Sequence, residues 1–363
     1  MSAVDDCQAA FRAHFGGDPE GVDFASGRVN LIGEHVDYND GLVLPMPVAQ
    51  GTAVAWRRVD GANVEVIAAD LGKHDCFPIA APTSPECLDW RAYCRGMVAH
   101  APVRPIQGLQ LAITGDLARG AGLSSSASLC VALGRALAGA AGTAVDPVPL
   151  ALAAQRAEHE FAGVACGVMD QMAIAAGRAG EAMLLDCRDL SFRRVAVPED
   201  WVVLVIHSGV TRGLVDGEYN ARRLQCGEAA AALGVASLRD SSISELDRAR
   251  LPAVIDRRAR HVIDEIARVR DAVDAMSAHD IGGFAAVLRE GHASLRDLFE
   301  VSVPAIDRLV DDLQAVLGDR GGARMTGAGF GGAVVVVADR DAARRVFKLA
   351  GPRATQVYGK GSA

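Results

Sequence analysis

Between Gly27 and Gly41 the chain reads GRVNLIGEHVDYNDG. Arg28, Asn30, Glu34, His35, Asp37 and Asn39 bring both charges and an imidazole into a stretch whose Val29, Leu31 and Ile32 belong in a core. A plain surface turn needs no such set, so these groups are arranged around something. A second set lies in AEHEFAGVACGVMDQMA, where Asp170 stands among Val168, Met169, Met172 and Ala173 on an otherwise apolar face. An acid there is either a helix cap or a catalytic carboxylate held in a partly dry site. Glu158, upstream on a helix, has a solvated face as its plainer reading.

Two further motifs are built on glycine. GAGLSSSAS, from Gly120 to Ser128, sits between a strand and a helix. That order points free backbone N–H groups at the loop, with the positive end of the helix dipole behind them. Small residues let a phosphate chain approach, and serine hydroxyls can bond phosphate oxygens or a metal. No Lys-Ser/Thr pair follows, so this is not a Walker A loop. A glycine turn with a serine N-cap is the alternative. GAGFGG, from Gly327 to Gly332, formally satisfies GxGxxG, but it precedes a strand, AVVVV, near the C-terminus, which speaks against a dinucleotide-binding fold. Such a loop either shapes a pocket or makes a tight turn.

The elements that must position these groups mix helix and strand throughout. TAVAWRRV, ANVEVIAA and LQLAITGDL read as strands, and EAMLLDCRDLSFRRVAV as strand, turn, strand. WVVLVIHSG is a nearly continuous apolar strand. Helical spacing begins at about Ser124, resumes after Pro149, and fills 217–232 and 257–300 before DAARRVFKLA. The 363 residues suggest two domains or one large one, with a junction near 190–200. Half the residues are hydrophobic and only 5% aromatic, so the core must be mostly Ala, Val and Leu. A formal net charge of −8 argues against a nucleic-acid or anionic-membrane binder, although a phosphate can still be bound locally. Eight scattered cysteines without a CxxC pair read as reduced thiols. MSAVDDCQAAF lacks the blocks of a signal peptide, and no apolar stretch is long enough to cross a bilayer, so a soluble cytoplasmic protein is expected.

The order GRVNLIGEHVDYNDGLVLP, GAGLSSSAS, MTGAGFGG strongly resembles the GHMP small-molecule kinases, and within them the galactokinases. The resemblance continues through WRAYCRG, AEHEFAGVACGVMDQ, LLDCR, GEYNARRLQC and SLRDLFEVS, and so covers nearly the whole chain. It implies an α+β protein of two domains, an N-terminal ribosomal-protein-S5-like one (1–195) and a C-terminal ferredoxin-like one (196–363), with the active site between them. The activity implied is ATP-dependent phosphorylation of the anomeric (C1) hydroxyl of galactose, the first phosphorylated step of galactose catabolism, with ATP and Mg²⁺ as cofactors. Asp170 matches the catalytic carboxylate and Arg28 the arginine that stabilises charge beside it. Glu34, His35, Val36, Asp37 and Tyr219 match positions of the sugar wall, and Gly167 a backbone contact to the sugar. Gly120, Ala121, Gly122, Leu123, Ser124, Ser125 and Ser126 match the phosphate loop, and Trp90 an aromatic residue near the adenine. Ser126 and Glu158 match the Mg²⁺ ligands. The polar cluster of Gly27–Gly41 then looks like one wall of a sugar pocket, where each hydroxyl needs its own donor or acceptor.

Four departures bear on the sugar. Val36 replaces a threonine, Ala118 and Arg119 stand where a proline is usual, His207-Ser208-Gly209 replaces NSN, and Ala333 replaces a cysteine. None touches Asp170, Arg28 or the serine triplet. Related kinases phosphorylate N-acetylgalactosamine or L-arabinose at the same position, and some relatives are sugar sensors with an altered Gly/Ser loop. The complete GLSSSAS and Asp170 favour an enzyme, a monomer or weak homo-oligomer acting on a sugar and ATP.

Overall fold

A computed structural model describes residues 2–86, 88–117, 122–210 and 215–359. Contacts divide them into two units, one of 2–28, 48–117 and 123–177, the other of 29–47, 122 and 178–359. The strands in chain order are β1 (Gly21–Asn30), β2 (Leu42–Val43), β3 (Pro45–Val59), β4 (Asn63–Ala68), β5 (Lys73–Pro78), β6 (Gly108–Gly115), β7 (Glu181–Asp186), β8 (Phe192–Ala196), β9 (Trp201–His207), β10 (Gly321–Thr326), β11 (Ala333–Asp339) and β12 (Ala354–Tyr358). The helices are α1 (Ala3–Phe15), α2 (Trp90–His100), α3 (Ser125–Ala140), α4 (Pro147–Glu160), α5 (Met169–Ala176), α6 (Val215–Leu233), α7 (Ile243–Ala249), α8 (Ala253–Ser277), α9 (Ile281–Asp297), α10 (Pro304–Leu317) and α11 (Arg340–Ala350).

The first unit is built on a five-stranded sheet in the order β1-β3-β6-β4-β5. Strand alternation sorts its side chains into two cores. Val54, Trp56, Leu109 and Leu111 join Met97 of α2, Val131 and Leu137 of α3, and Leu150 of α4. On the other face the small Ala53, Ala55 and Ala112 leave room for Cys7 and Phe11 of α1. Gly134 lets α4 close onto α3, because a Cβ there would stand 2.2 Å from Leu150. Ala, Val and Leu predominate in this core, and Ser125 and Ser126 stand at the start of α3, a helix with most of its residues buried.

The second unit holds the four-stranded sheet β10-β11-β9-β12 and the small sheet β2-β7-β8. β11 pairs antiparallel with both β10 and β9, Val334 facing Met325 and Ile206. Its AVVVV run is buried throughout, as a central strand covered on both faces requires. Helix α9 packs on β10, and α10 and α11 on the same sheet.

Two expectations need correction. The helical stretch 257–300 is two helices, α8 and α9, because His279 turns left-handed at φ 55° and Asp280 caps α9 by accepting from Gly283 N at 2.9 Å. Helix α4 begins at Pro147, two residues before Pro149, since a proline in the first turn loses no intrahelical bond. Among the described residues no helix is long and apolar enough to cross a membrane.

Candidate active site

The site residues fall into two groups, one in each unit. In the first, Arg28 near the end of β1 reaches Asp170 in the first turn of α5, 142 residues on. Its Nε donates to Oδ1 at 2.7 Å, and its Nη2 lies 2.6 Å from the same oxygen. The other oxygen, Oδ2, accepts the Ser124 hydroxyl. Ser124 is held left-handed, φ 58° and ψ 52°, where the chain enters α3, and Leu123 O accepts from Arg28 N at 3.1 Å. The arginine side chain is only 6% exposed and the aspartate 26%. The cation is therefore a fixed support, and the carboxylate is the member a ligand can reach.

Glu158 does not lie on a solvated face. It is 3% exposed, at the last turn of α4, and its Oε1 accepts from Gln171 Nε2 at 2.7 Å. Burial pushes its carboxyl up to about 7; the Gln171 bond opposes this, Asp170's negative charge adds to it, and a bond from Ser126 opposes it too. Ser126 and Glu158 thus meet as a hydroxyl and a carboxylate, hard oxygen donors of the kind a small divalent cation takes. A cation beside them would relieve the penalty on ionised Glu158. Among the described residues no group of three or more His, Cys, Asp or Glu could hold a metal; a cation here would have two protein oxygens and would need other ligands.

Ser125 and Ser126 also line a cavity of about 420 Å³, with Trp90, Tyr93, Asp89 and Lys73. The cavity brings the aromatic residue and the loop serines into one space, as a nucleotide with its phosphates requires. Trp90 Nε1 is buried without a hydrogen-bond partner among the described residues. Leu123 is 5% exposed and packs inward. Gly122 has φ 71°. Gly120, Ala121, Ala118 and Arg119 lie outside the described residues. Gly167 is buried just before α5, and the carbonyl of its neighbour Cys166 accepts from Gln155 Nε2 at 3.2 Å.

In the second unit the first motif opens with a turn, Gly33 with φ 99° and His35 with φ 62°. Glu265 of α8 accepts from Gly33 N at 3.0 Å and Glu34 N at 3.3 Å. Glu265 is fully buried, yet its carboxyl is held down at about 2: burial raises it, and Arg324, Arg268 and His261 together outweigh that. Glu34 itself is 2% exposed, and its Oε1 accepts from Gly327 N at 2.7 Å and Thr326 Oγ1 at 3.0 Å. The His35 ring has both nitrogens engaged, Nδ1 with Tyr38 Oη at 2.9 Å and Nε2 with Ala328 O at 3.2 Å. Burial lowers its pKa to about 3, so the ring is neutral. It stacks within 5.4 Å of Tyr219 and 4.8 Å of Phe299. Val36 is fully buried and its carbonyl accepts from Asn39 and Gly41. Asp37, half-buried, opens the turn Asp37–Asn39, which Ser237 Oγ fastens by donating to Asn39 O at 2.6 Å. His207 Nδ1 accepts from Gly209 N at 3.0 Å within its own turn.

Sequence reasoning missed Glu265, Arg324, Thr326 and Gln171 as supports of the site. Gln171, beside Asp170, was legible as a neighbour. Glu265, 232 residues from Gly33, was not.

Comparison with known proteins gives three family matches: the galactokinase galactose-binding signature over residues 9–58, the GHMP kinase N-terminal domain over 90–178 and the GHMP kinase C-terminal domain over 272–348. A crystal structure of Lactococcus lactis galactokinase complexed with galactose is 30% identical, covers 100% of both chains and superposes with a TM-score of 0.91. Methanococcus jannaschii mevalonate kinase (17% identity, 94% and 98% coverage, TM-score 0.64) shares the fold. So does Streptococcus pneumoniae phosphomevalonate kinase in complex with phosphomevalonate and AMPPNP (14%, 93% and 98%, 0.68).

Proposed function

The chain belongs to the galactokinase family of the GHMP kinases, which are ATP-dependent phosphotransferases, and from that premise we propose that it phosphorylates the C1 hydroxyl of galactose. The observation that carries this reading is the Arg28–Asp170–Ser124 cluster, with its carboxylate the accessible member. Asp170 orients the anomeric hydroxyl and takes its proton as the oxygen attacks the γ-phosphorus. The bond to the β-γ bridging oxygen breaks and ADP leaves. Arg28 holds Asp170 in place and offsets charge as it develops. Backbone N–H groups at the start of α3 face the phosphates, and Trp90 in the same cavity covers the adenine. Ser126 and Glu158 would hold Mg²⁺, which would supply Lewis-acid neutralisation of phosphate charge.

Glu34, Asp37 and Tyr219 accept or donate to the remaining sugar hydroxyls, with Gly167 supplying a backbone contact. His35, its ring nitrogens already occupied, acts by shaping the wall. A reducing compartment such as the cytoplasm fits a sequence whose eight cysteines are scattered and form no CxxC pair. ADP release with Mg·ATP, measured against galactose, glucose, N-acetylgalactosamine, L-arabinose and a no-sugar control, tests the reading. Preference for galactose is expected. Turnover of another sugar alone would move specificity to Val36 and His207, and binding without turnover would make the chain a sensor.

A further inference from the structure

The GAGFGG loop has no phosphate to bind in this scheme, yet its backbone is tightly constrained. Gly327, Gly329, Phe330, Gly331 and Gly332 all have positive φ, at 87°, 86°, 57°, 134° and 93°. Gly329 has no alternative, because a Cβ there would stand 2.5 Å from Val301 O. Phe330 N pins the loop by donating to the same Val301 O at 2.7 Å.

The entry to this loop points its polar groups at two consecutive residues of the first motif. Gly327 N donates to Glu34 Oε1 at 2.7 Å, the Thr326 hydroxyl shares its one proton between Asn30 O at 2.9 Å and Glu34 Oε1 at 3.0 Å, and Ala328 O meets His35 Nε2 at 3.2 Å. Arg324, two residues earlier, lies 3.9 Å from Glu34 Oε1 and 3.5 Å from Glu265 Oε1. Every one of these contacts that reaches the Glu34 carboxylate falls on Oε1. Among the described residues no hydrogen bond reaches Glu34 Oε2. One carboxylate oxygen is committed to the protein and its partner is left over.

We infer that Thr326 and the Gly327–Gly332 loop are the positioning element of the sugar wall, fixing the Glu34 carboxylate so that Oε2 is presented to a single sugar hydroxyl. A carboxylate already locked in one rotamer loses no side-chain entropy when the sugar binds, and rejects a sugar whose hydroxyl lies elsewhere. Thr326 is thus a positioning residue that acts through Glu34. The inference rests on the reading of Glu34 as acceptor for a sugar hydroxyl, and the two are separable by experiment.

The experiment compares Thr326→Val, Thr326→Ser and Glu34→Gln with the parent protein, measuring kcat, KM for galactose, KM for ATP and thermal unfolding. Thr326→Val keeps the shape and loses the donor. It should raise KM for galactose about tenfold, about 1.4 kcal/mol, with KM for ATP changed less than about twofold. Thr326→Ser restores the hydroxyl and should bring KM for galactose back to within about threefold of the parent value. An unchanged KM in Thr326→Val, alongside a raised KM in Glu34→Gln, would overturn the positioning role and leave the Glu34 reading intact. An unchanged KM in Glu34→Gln would remove that reading itself. A rise in both KM values, or no rescue by serine, would reduce Thr326 to a general structural residue and overturn the inference.

Discussion

Lowering the pH from 8 to 6 should weaken binding of the magnesium–nucleotide complex through one residue, Glu158. Burial lifts its carboxyl from the ordinary 4.5 to about 7. The folded value lies above the unfolded one, so ionisation is disfavoured in the metal-free fold. The cost to stability is absent below about pH 4.5 and grows as pH rises to 7, reaching about 3 kcal/mol. A cation at Ser126 and Glu158 needs the ionised form. Between pH 8 and 6 the ionised fraction falls from about nine-tenths to about one-tenth, so affinity through this carboxylate falls about tenfold. Calorimetric titration with Mg·ADP at pH 8, 7 and 6, with metal-free ADP as control, measures this in the parent protein and in Glu158→Gln. The variant should bind Mg·ADP more weakly at pH 8 and show only the pH dependence of the metal-free control. Without metal it should unfold at a higher temperature than the parent at pH 8, because the buried charge is gone. Equal pH slopes in the two proteins would refute the argument, since the titrating group would then lie elsewhere.

Three further outcomes can be checked. Asp170→Asn keeps the Arg28 contact's geometry but cannot take a proton, so kcat should fall by roughly a thousandfold or more while galactose binding by calorimetry stays close to normal. Retention of near-parent kcat would end the catalytic assignment. Trp90→Ala should raise KM for ATP by about tenfold and leave KM for galactose within about twofold, because the residue lines the cavity that also holds Ser125 and Ser126. Steady-state kinetics with each substrate varied would expose an equal rise in both. Gly329→Ala adds a Cβ 2.5 Å from Val301 O at φ 86° and should destabilise the fold by about 1–3 kcal/mol in urea unfolding. An unshifted midpoint would mean the loop is less constrained than its geometry indicates.

The sequence alone determined the local chemistry. Strand alternation in LQLAITGDL and the apolar run WVVLVIHSG were legible because side-chain direction follows a fixed period of two. Arg28, Asp170 and the serine triplet were legible as types in an order shared with a family. The limits show at particular residues. α1 and α2 went unread, although Ser2 and Asp89 cap them, because each cap is a weak signal without a long periodic stretch behind it. The break at His279 depended on one backbone conformation in a run that otherwise reads as helix.

Tertiary structure decided what those residue types become. Glu158 on its helix reads as a solvated acid until packing shows it 3% exposed and beside Gln171. His35 matches a position of the sugar wall in sequence, and only the fold shows its nitrogens meeting Tyr38 Oη and Ala328 O. Thr326 and Gly327 meet Glu34 across about 290 residues of chain, and no pattern of spacing encodes such a meeting. A sequence fixes which groups are available and their direction within an element. Burial, local dielectric and hydrogen-bond partners come from segments distant in the chain, and these set a carboxylate's charge and aim.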